Sequence, residues 1–413
     1  MEFIQIVIYF SIYIGLVATA FYALSYADYR KKKERLFSDD ELPFVSVIIP
    51  AWNEAKTISG TIASIMASNY KSFEVLVIDD GSTDNTFNVV KKLEVKYQNL
   101  RIYHKENEGK GTALNFGIKK AKGQIVFTMD ADTYVHPESI QRMVRYFKDK
   151  DVMCVSPAML VHEPRGILQR VQQAEYVLGL FLRNAFAILD SIFVTPGAFS
   201  AYRKSFFEKH GGYEEKNITE DLELALRIQY LGYRIANCPH APAWTIVPSK
   251  FRDALLQRRR WYYGWIKNLW KYKKIFGRKY GDLGSFVIPT AGLNVVLSVF
   301  VMVYSLFSAL FAIKGEIAFL QNINFDIAGM GNINLYVIER FLFLFLTNPV
   351  MIFILIFMVI FIFYTKYATR KTGKVPGLLL NFFLFFAFFA ILFAFWWIVS
   401  IFYTIFNKNI KWR

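Results

Sequence analysis

The chain has 413 residues, 54% of them hydrophobic, with 41 Phe and a formal net charge of +16. That length allows one large soluble domain and something more, and so apolar a composition excludes a wholly water-exposed protein. The excess positive charge largely flanks apolar runs, where anionic headgroups are its natural partner. It therefore points to membrane lipids and away from nucleic acid, for which no aromatic-basic strand surface or zinc-ligand spacing is present.

The first apolar run, FIQIVIYFSIYIGLVATAFYALSYA, carries about 25 residues without a charge, enough to cross a bilayer. It lacks a basic leader and a small-residue cleavage site, so it reads as a retained anchor. DYRKKKER follows directly, and by the positive-inside rule it places the next domain in the cytoplasm. Residues 44–250 read as an ordinary mixed globular sequence. Its two cysteines, Cys154 and Cys238, are expected to be reduced and structural.

From residue 44 strands and helices alternate. FVSVIIP is a strand, followed by a helix from Ala55 to about Met66. FEVLVIDD is the second strand, and STDNTFNVVKKLEVKY a helix capped by Ser82 or Asp84. LRIYHK is the third strand, with GTALNFGIKKAKG a helix ended by Gly123. QIVFTMD is the fourth, and PESIQRMVRYFKDK its helix. Such alternation predicts a mostly parallel sheet with helices on both faces, and ligands then bind beyond the carboxyl ends of the strands.

Four polar clusters land on that one edge: Asn53 and Glu54, Asp79 and Asp80, Lys110 in EGKGT, and Asp130 with Asp132. A dinucleotide fold is excluded because PAWNEA stands where G-x-G-x-x-G is needed, and EGKGT is not a P-loop. Asp130 and Asp132 supply hard oxygen ligands suited to Mg²⁺ or Mn²⁺, though they also suit a helix cap. Asp79 and Asp80 read equally as a turn. Thr219, Glu220 and Asp221 open a later helix, as a cap with favourable charges or with Asp221 as a general base. The five histidines, His104 among them, form no ligand spacing and read as structural or surface residues.

FRDALLQRRRWYYGWIKNLWKYKK is a basic amphipathic helix rich in Trp and Tyr, the form that lies in a membrane interface. Gln257, Arg260 and Trp261 at its start carry side chains that also suit a diphosphate and a sugar ring. The helix of 167–189 reads as core or as a second membrane-facing element. Three apolar runs follow, roughly 285–312, 341–364 and 377–406.

In order, VSVIIPAWNE, VIDDGSTD, EGKGTALNFG, DADT, TED and QRRRW resemble the motifs of membrane-bound family 2 glycosyltransferases. The chain looks like the processive β-polysaccharide synthases that make poly-N-acetylglucosamine, hyaluronan, chitin and cellulose. The resemblance implies a GT-A type nucleotide-diphosphosugar domain with transmembrane helices on both sides. The divisions are a 1–28 anchor, a 29–250 cytoplasmic transferase domain, a 251–280 interface region, and 281–413 with about three spans. It further implies a UDP-sugar donor, a polysaccharide or lipid acceptor, Mg²⁺ or Mn²⁺, and an integral position in the cell membrane. A homo-oligomer or accessory subunit would complete so small a set of spans.

By the same resemblance, Asn53, Glu54, Asp79, Asp80, Lys110, Asp130 and Arg260 bind the donor, and Asp132 with Asp130 holds the metal. Asp221 is the base, with Glu220 beside it. Gln257, Trp261 and Gly197 meet the acceptor, although Pro196 departs from the small residue usual before that glycine.

Overall fold

The computed structural model describes residues 2–29, 42–322, 335–347 and 377–406, with scattered residues between 351 and 370. Eight strands form one sheet in the order β3-β2-β1-β4-β7-β6-β8-β5. These are β1 Val45–Ala51, β2 Phe73–Asp80, β3 Leu100–Lys105, β4 Ile125–Met129, β5 Thr133–Val135, β6 Val152–Val161, β7 Phe199–Arg203 and β8 Arg234–Thr245. The first four expected strands run parallel, as the helical crossovers between them require. Beyond β4 the order is mixed: β7 pairs antiparallel with β4 and β6, β8 is parallel to β6, and β5 is antiparallel to β8.

Alternate residues of one strand feed opposite faces. Val45, Val47 and Ile49 of β1 pack with Ile58, Ile62 and Ile65 of α2 (Ile58–Met66) and Val90 of α3 (Thr86–Lys96). Ile48, between them, faces the other way, onto Leu114 and Ile118 of α4 (Lys110–Lys120) and Leu224 and Ile228 of a later helix.

Three expected helix ends move, each for a local reason. The helix expected from Ala55 starts at Ile58, because residues 52–57 form turns tied to the loop after β2. That loop in turn delays α3 to Thr86. α4 ends at Lys120, and Gly123 serves a different need: a Cβ there would stand 2.5 Å from the Ser46 backbone nitrogen. The fourth expected helix is the short α5 (Ser139–Val144) with a 3-10 turn after it.

α6 (Ile167–Ile188) lies between the sheet and the apolar helices, in keeping with its reading as core. Val171, Ala174 and Val177 meet Phe382 and Phe385 of α12 (Leu378–Ile405) across Ala158 and Leu160 of β6. α7 is Lys204–His210, α8 Glu220–Tyr230 and α9 Phe251–Lys271. α8 is buried on two sides: Leu224 and Ile228 enter the sheet core, while Leu222 and Leu226 join a cluster with Ala18 and Tyr22 of α1 (Glu2–Tyr29) and Val287.

Among the described residues, two helices are long and apolar enough to cross a membrane, over Ile4–Tyr22 and Leu283–Ile313, the latter mostly in α10 (Ile288–Asn322). α12 makes a third if its halves, bent by 46°, count as one span. The run expected at 341–364 begins in α11 (Leu335–Thr347) and otherwise lies largely outside the described residues, as does the basic stretch of 30–35.

Candidate active site

The loops after β1 and β2 are stitched together by Asn53. Its backbone is left-handed, φ 57°, a conformation asparagine tolerates better than most residues. Its N–H donates to Ser82 Oγ at 3.0 Å, and its Oδ1 accepts from the backbone N–H of Thr83 at 2.8 Å and of Asp84 at 3.2 Å. Glu54 donates its N–H to Thr86 Oγ1 at 2.8 Å and accepts from Thr57 Oγ1 at 2.7 Å.

Asp79 and Asp80 are both engaged by the protein itself. Asp79, fully buried, bonds His104 Nδ1 at 2.6 Å and accepts from the Ser82 N–H at 3.3 Å. His104 is the half-exposed member of that pair. Sequence reasoning set it aside, yet the β2–β3 register places it directly opposite Asp79. Asp80 accepts from Lys105 Nζ at 2.7 Å and from the N–H groups of Glu108 at 3.2 Å and Gly109 at 2.8 Å. It thereby shapes the turn that delivers Lys110 to the start of α4.

Lys110 joins two motifs that are far apart in sequence. Its Nζ lies 2.6 Å from Asp130 Oδ1 and 3.2 Å from Glu220 Oε1. Burial alone would lower its pKa, but the charges of Asp130, Glu220 and Asp221 hold it above the ordinary lysine value. The same burial pushes the Glu220 carboxyl up, against the pull of Lys110.

Asp132 follows Asp130 at the end of β4 with a less favourable environment. Burial, with the negative charges of Asp130 and Glu54 added, raises its pKa to about 7. Carboxylates crowded in this way suit a divalent cation. Among the described residues no group of three or more His, Cys, Asp or Glu side chains gathers to enclose one. That donor set fits an ion held by one or two carboxylates and completed by substrate phosphates.

Asp221 lies in the first turn of α8. Its Oδ1 accepts from the Leu222 N–H at 2.8 Å and its Oδ2 from the Gly197 N–H at 2.9 Å. Gly197 thus meets Asp221 directly. A Cβ there would come 2.6 Å from the carboxylate oxygen.

α9 closes the site. A Cβ on Gly264 would meet Thr219 Oγ1 at 2.2 Å, so the glycine lets α9 pack directly on the start of α8. Asn268, buried, donates to Thr219 Oγ1 at 2.9 Å and accepts from Asn217 Nδ2 at 2.7 Å. Gln257 has its Oε1 closed off from solvent without a hydrogen-bond partner among the described residues. The Arg260 charge reaches Glu220.

The support beneath Trp261 escaped the sequence reading. Arg258, 1% exposed, is paired in bidentate fashion with Glu175 of α6, at 2.7 and 2.6 Å. Its guanidinium lies 4.4 Å from the Trp261 ring centre and 5.2 Å from that of Trp396 in α12. Tyr262 stacks on Trp397 at 4.3 Å. The helix expected in the membrane interface therefore turns part of its aromatic face into the protein, while Trp270 stays exposed.

Against known proteins, residues 46–211 match the model of glycosyl transferase family 2. The chain is similar to poly-beta-1,6-N-acetyl-D-glucosamine synthase of Staphylococcus aureus, 30% identical over 260 residues, which is 62% of this chain and 63% of that protein. The enzyme of the same name from Staphylococcus epidermidis is 29% identical over 227 residues, 53% of this chain and 54% of that protein. The chain thus spans less than two thirds of the length of the curated relatives it matches. A mannosyltransferase of Pyrobaculum calidifontis, solved with GDP-Man and Mn²⁺, has the same fold: TM-score 0.57, 20% identity, 98% of this chain and 100% of that one.

Proposed function

We propose, from the match of residues 46–211 to glycosyl transferase family 2, that the protein is an inverting, metal-dependent glycosyltransferase. It moves a sugar, N-acetylglucosamine, from a UDP-sugar to a growing β-linked polysaccharide. The reaction is placed at the cytoplasmic face of the cell membrane, where the spans suit export of the polymer. The choice of sugar and polymer is supported by the two staphylococcal synthases.

The observation that carries the reading is Lys110, whose ammonium lies within 3.2 Å of both Asp130 and Glu220. One side chain thereby unites the donor-side carboxylates with the helix that bears Asp221. Asp132 and Asp130 would hold Mg²⁺ or Mn²⁺, which supplies neutralisation of the charge on the leaving diphosphate. Asn53, Glu54, Asp79 and Asp80 form the wall around the nucleotide. Arg260 clamps diphosphate oxygens, and the unpartnered Gln257 carbonyl accepts from the substrate.

Asp221, oriented by two backbone N–H groups, takes the proton of an acceptor hydroxyl. The acceptor oxygen bonds to the anomeric carbon from the face opposite the diphosphate, the carbon–oxygen bond to diphosphate breaks, and UDP leaves. Attack from the opposite face gives inversion. Trp261 offers the acceptor ring a flat apolar platform.

A second reading, transfer of a single sugar to a lipid acceptor, is favoured by one feature. Leu222 and Leu226, beside Asp221 on α8, pack in one cluster with Ala18 and Tyr22 of the first apolar helix. The test uses detergent-purified protein, Mg²⁺ or Mn²⁺ and a panel of radiolabelled UDP-sugars, with products sized and extracted into organic solvent. A ladder of long products from UDP-N-acetylglucosamine supports the first reading. A single-sugar product that partitions with lipid replaces it with the second, and no transfer from any donor overturns both.

A further inference from the structure

Of the EGKGTALNFG stretch, the proposed chemistry uses only Lys110, although Asn115 on the same helix is as closely engaged. Asn115 Oδ1 accepts from the Tyr213 N–H at 2.7 Å, and its Nδ2 donates to the Tyr213 carbonyl at 2.9 Å and to Glu215 Oε1 at 3.1 Å. A side-chain amide carries a donor and an acceptor as a peptide unit does, so this asparagine pairs both backbone groups of a buried tyrosine. Glycines allow the approach: a Cβ on Gly212 would stand 2.2 Å from Asn115 Oδ1, and one on Gly111 3.1 Å from Glu215 Cα.

Tyr213 and Glu215 belong to a strap, residues 211–219, that joins α7 to α8. Its other ties reach the elements that bear Asp130, Asp221 and Arg260. Tyr213 donates its hydroxyl to Thr128 Oγ1 of β4 at 3.4 Å, just ahead of Asp130. Arg227 of α8 donates to the carbonyls of Gly211 at 3.3 Å and Gly212 at 2.7 Å, and pairs with Glu223 of its own helix at 2.9 Å. From α9, Lys271 lies 2.8 Å from Glu214, and Asn268 bonds both Asn217 and Thr219.

Lys110 and the strap are held by different parts of the fold. α4 is seated on the sheet, with Leu114 and Ile118 in the core and a Cβ on Gly117 only 2.4 Å from Ile48. Thr219 ends the strap, and Glu220 and Asp221 follow at once. We propose that Asn115 is a positioning residue: by holding Tyr213 it sets the strap, and with it Glu220 and Asp221, against Lys110. The 3.2 Å contact between Lys110 and Glu220 then results from α4 gripping the segment that leads into α8. The consequence for transfer rests on the transferase reading; the link from Asn115 to Glu220 rests on geometry alone.

The test uses the full-length protein in detergent as wild type, Asn115→Ala, Gly212→Ala and Val144→Ala. Amide hydrogen exchange is followed beside steady-state transfer from UDP-N-acetylglucosamine and UDP affinity in Mn²⁺. Asn115→Ala leaves both Tyr213 backbone groups without their partner, while Gly212→Ala pushes the strap off an intact Asn115. Both are expected to exchange about tenfold faster over 211–222, with β1 and β4 unchanged. In both, kcat should fall about tenfold or more, with donor KM and UDP affinity within about threefold of the wild type. Val144→Ala truncates a buried side chain of α5 and should lower the melting temperature while leaving kcat unchanged.

Unchanged exchange over 211–222 in both strap variants would overturn the proposal. So would an Asn115→Ala protein that melts lower yet keeps its kcat, as Val144→Ala does, because Asn115 would then be purely structural. UDP affinity falling as far as kcat would overturn it too, since Asn115 would then act through α4 and the donor side. A wild type that transfers from no donor would end the transferase reading, and the exchange comparison would then decide the link on its own.

Discussion

The backbone N–H of Gly197 donates to Oδ2 of Asp221 at 2.9 Å, and a Cβ on Gly197 would stand 2.6 Å from that same oxygen. Glycine is needed here for close approach, not for an unusual turn. Gly197→Ala is expected to push the carboxylate aside and lower transfer by about 100-fold, the scale of a misplaced catalytic group. UDP binding should persist, because the donor side is untouched. Rates beside a UDP-dependent melting shift check this; near-normal transfer in the alanine variant would mean that Asp221 works without that bond.

Asp132 carries a prediction with two signs. Its pKa is raised to about 7, so ionising it disfavours the ion-free fold as pH rises from the ordinary carboxylate value of about 4 toward 7. Metal needs the ionised form, so Mn²⁺ binding should weaken as pH falls through 7. Asp132→Asn should therefore melt a few degrees above the wild type without metal at pH 8, and gain nothing from Mn²⁺. A variant less stable than the wild type would contradict the repulsion; one still stabilised by Mn²⁺ would remove Asp132 from the metal site.

The Arg258–Glu175 pair predicts a separation of stability from activity. Glu175→Ala leaves a buried guanidinium unpaired and should cost about 3–5 kcal/mol, while replacing both partners by methionine should recover most of that loss. The double variant should still transfer poorly, because Trp261 has lost the cation beneath its ring. Denaturation midpoints and acceptor-dependent rates on the three proteins decide. A double variant with normal activity would make the pair purely structural.

Gly264 sets the spacing of the two site helices. Gly264→Ala would force α9 away from Thr219 and should cost about 1–3 kcal/mol, as over-packing does. Transfer should fall further than Asn268→Ala lowers it, because the whole segment of Gln257, Arg260 and Trp261 moves. Paired rate and melting measurements on the two variants test this; equal rates would place the effect in stability alone.

The gathering of Asn53, Asp80, Lys110 and Asp130 was legible in the sequence because parallel alternation puts every loop after β1 to β4 on one edge. The expected second and third strands agree with the observed Phe73–Asp80 and Leu100–Lys105. What local pattern does not encode is long-range pairing. β5 to β8 depend on contacts such as Phe127 opposite Ala201, and strand period alone gives no such partner. The partners within the edge were also hidden: Asp79 and Asp80 read as a turn or as donor-binding residues, and local pattern does not show that His104, Lys105 and backbone N–H groups hold them. At about 100° per residue Arg258 shares a face of α9 with Phe251, Leu255 and Tyr262, where a charge has no partner in the local sequence. Only the packing of α6 and α12 on that helix shows it as a buried pair.

The central claim is that Asp221 abstracts the acceptor proton at a site whose donor half is separate from it. The most direct measurement compares Asp221→Asn with the wild type for steady-state transfer from UDP-N-acetylglucosamine and for UDP affinity in Mn²⁺. The account predicts transfer reduced by about a thousandfold or more, with UDP affinity within about threefold of the wild type. Asparagine transferring at a rate near the wild type would contradict it.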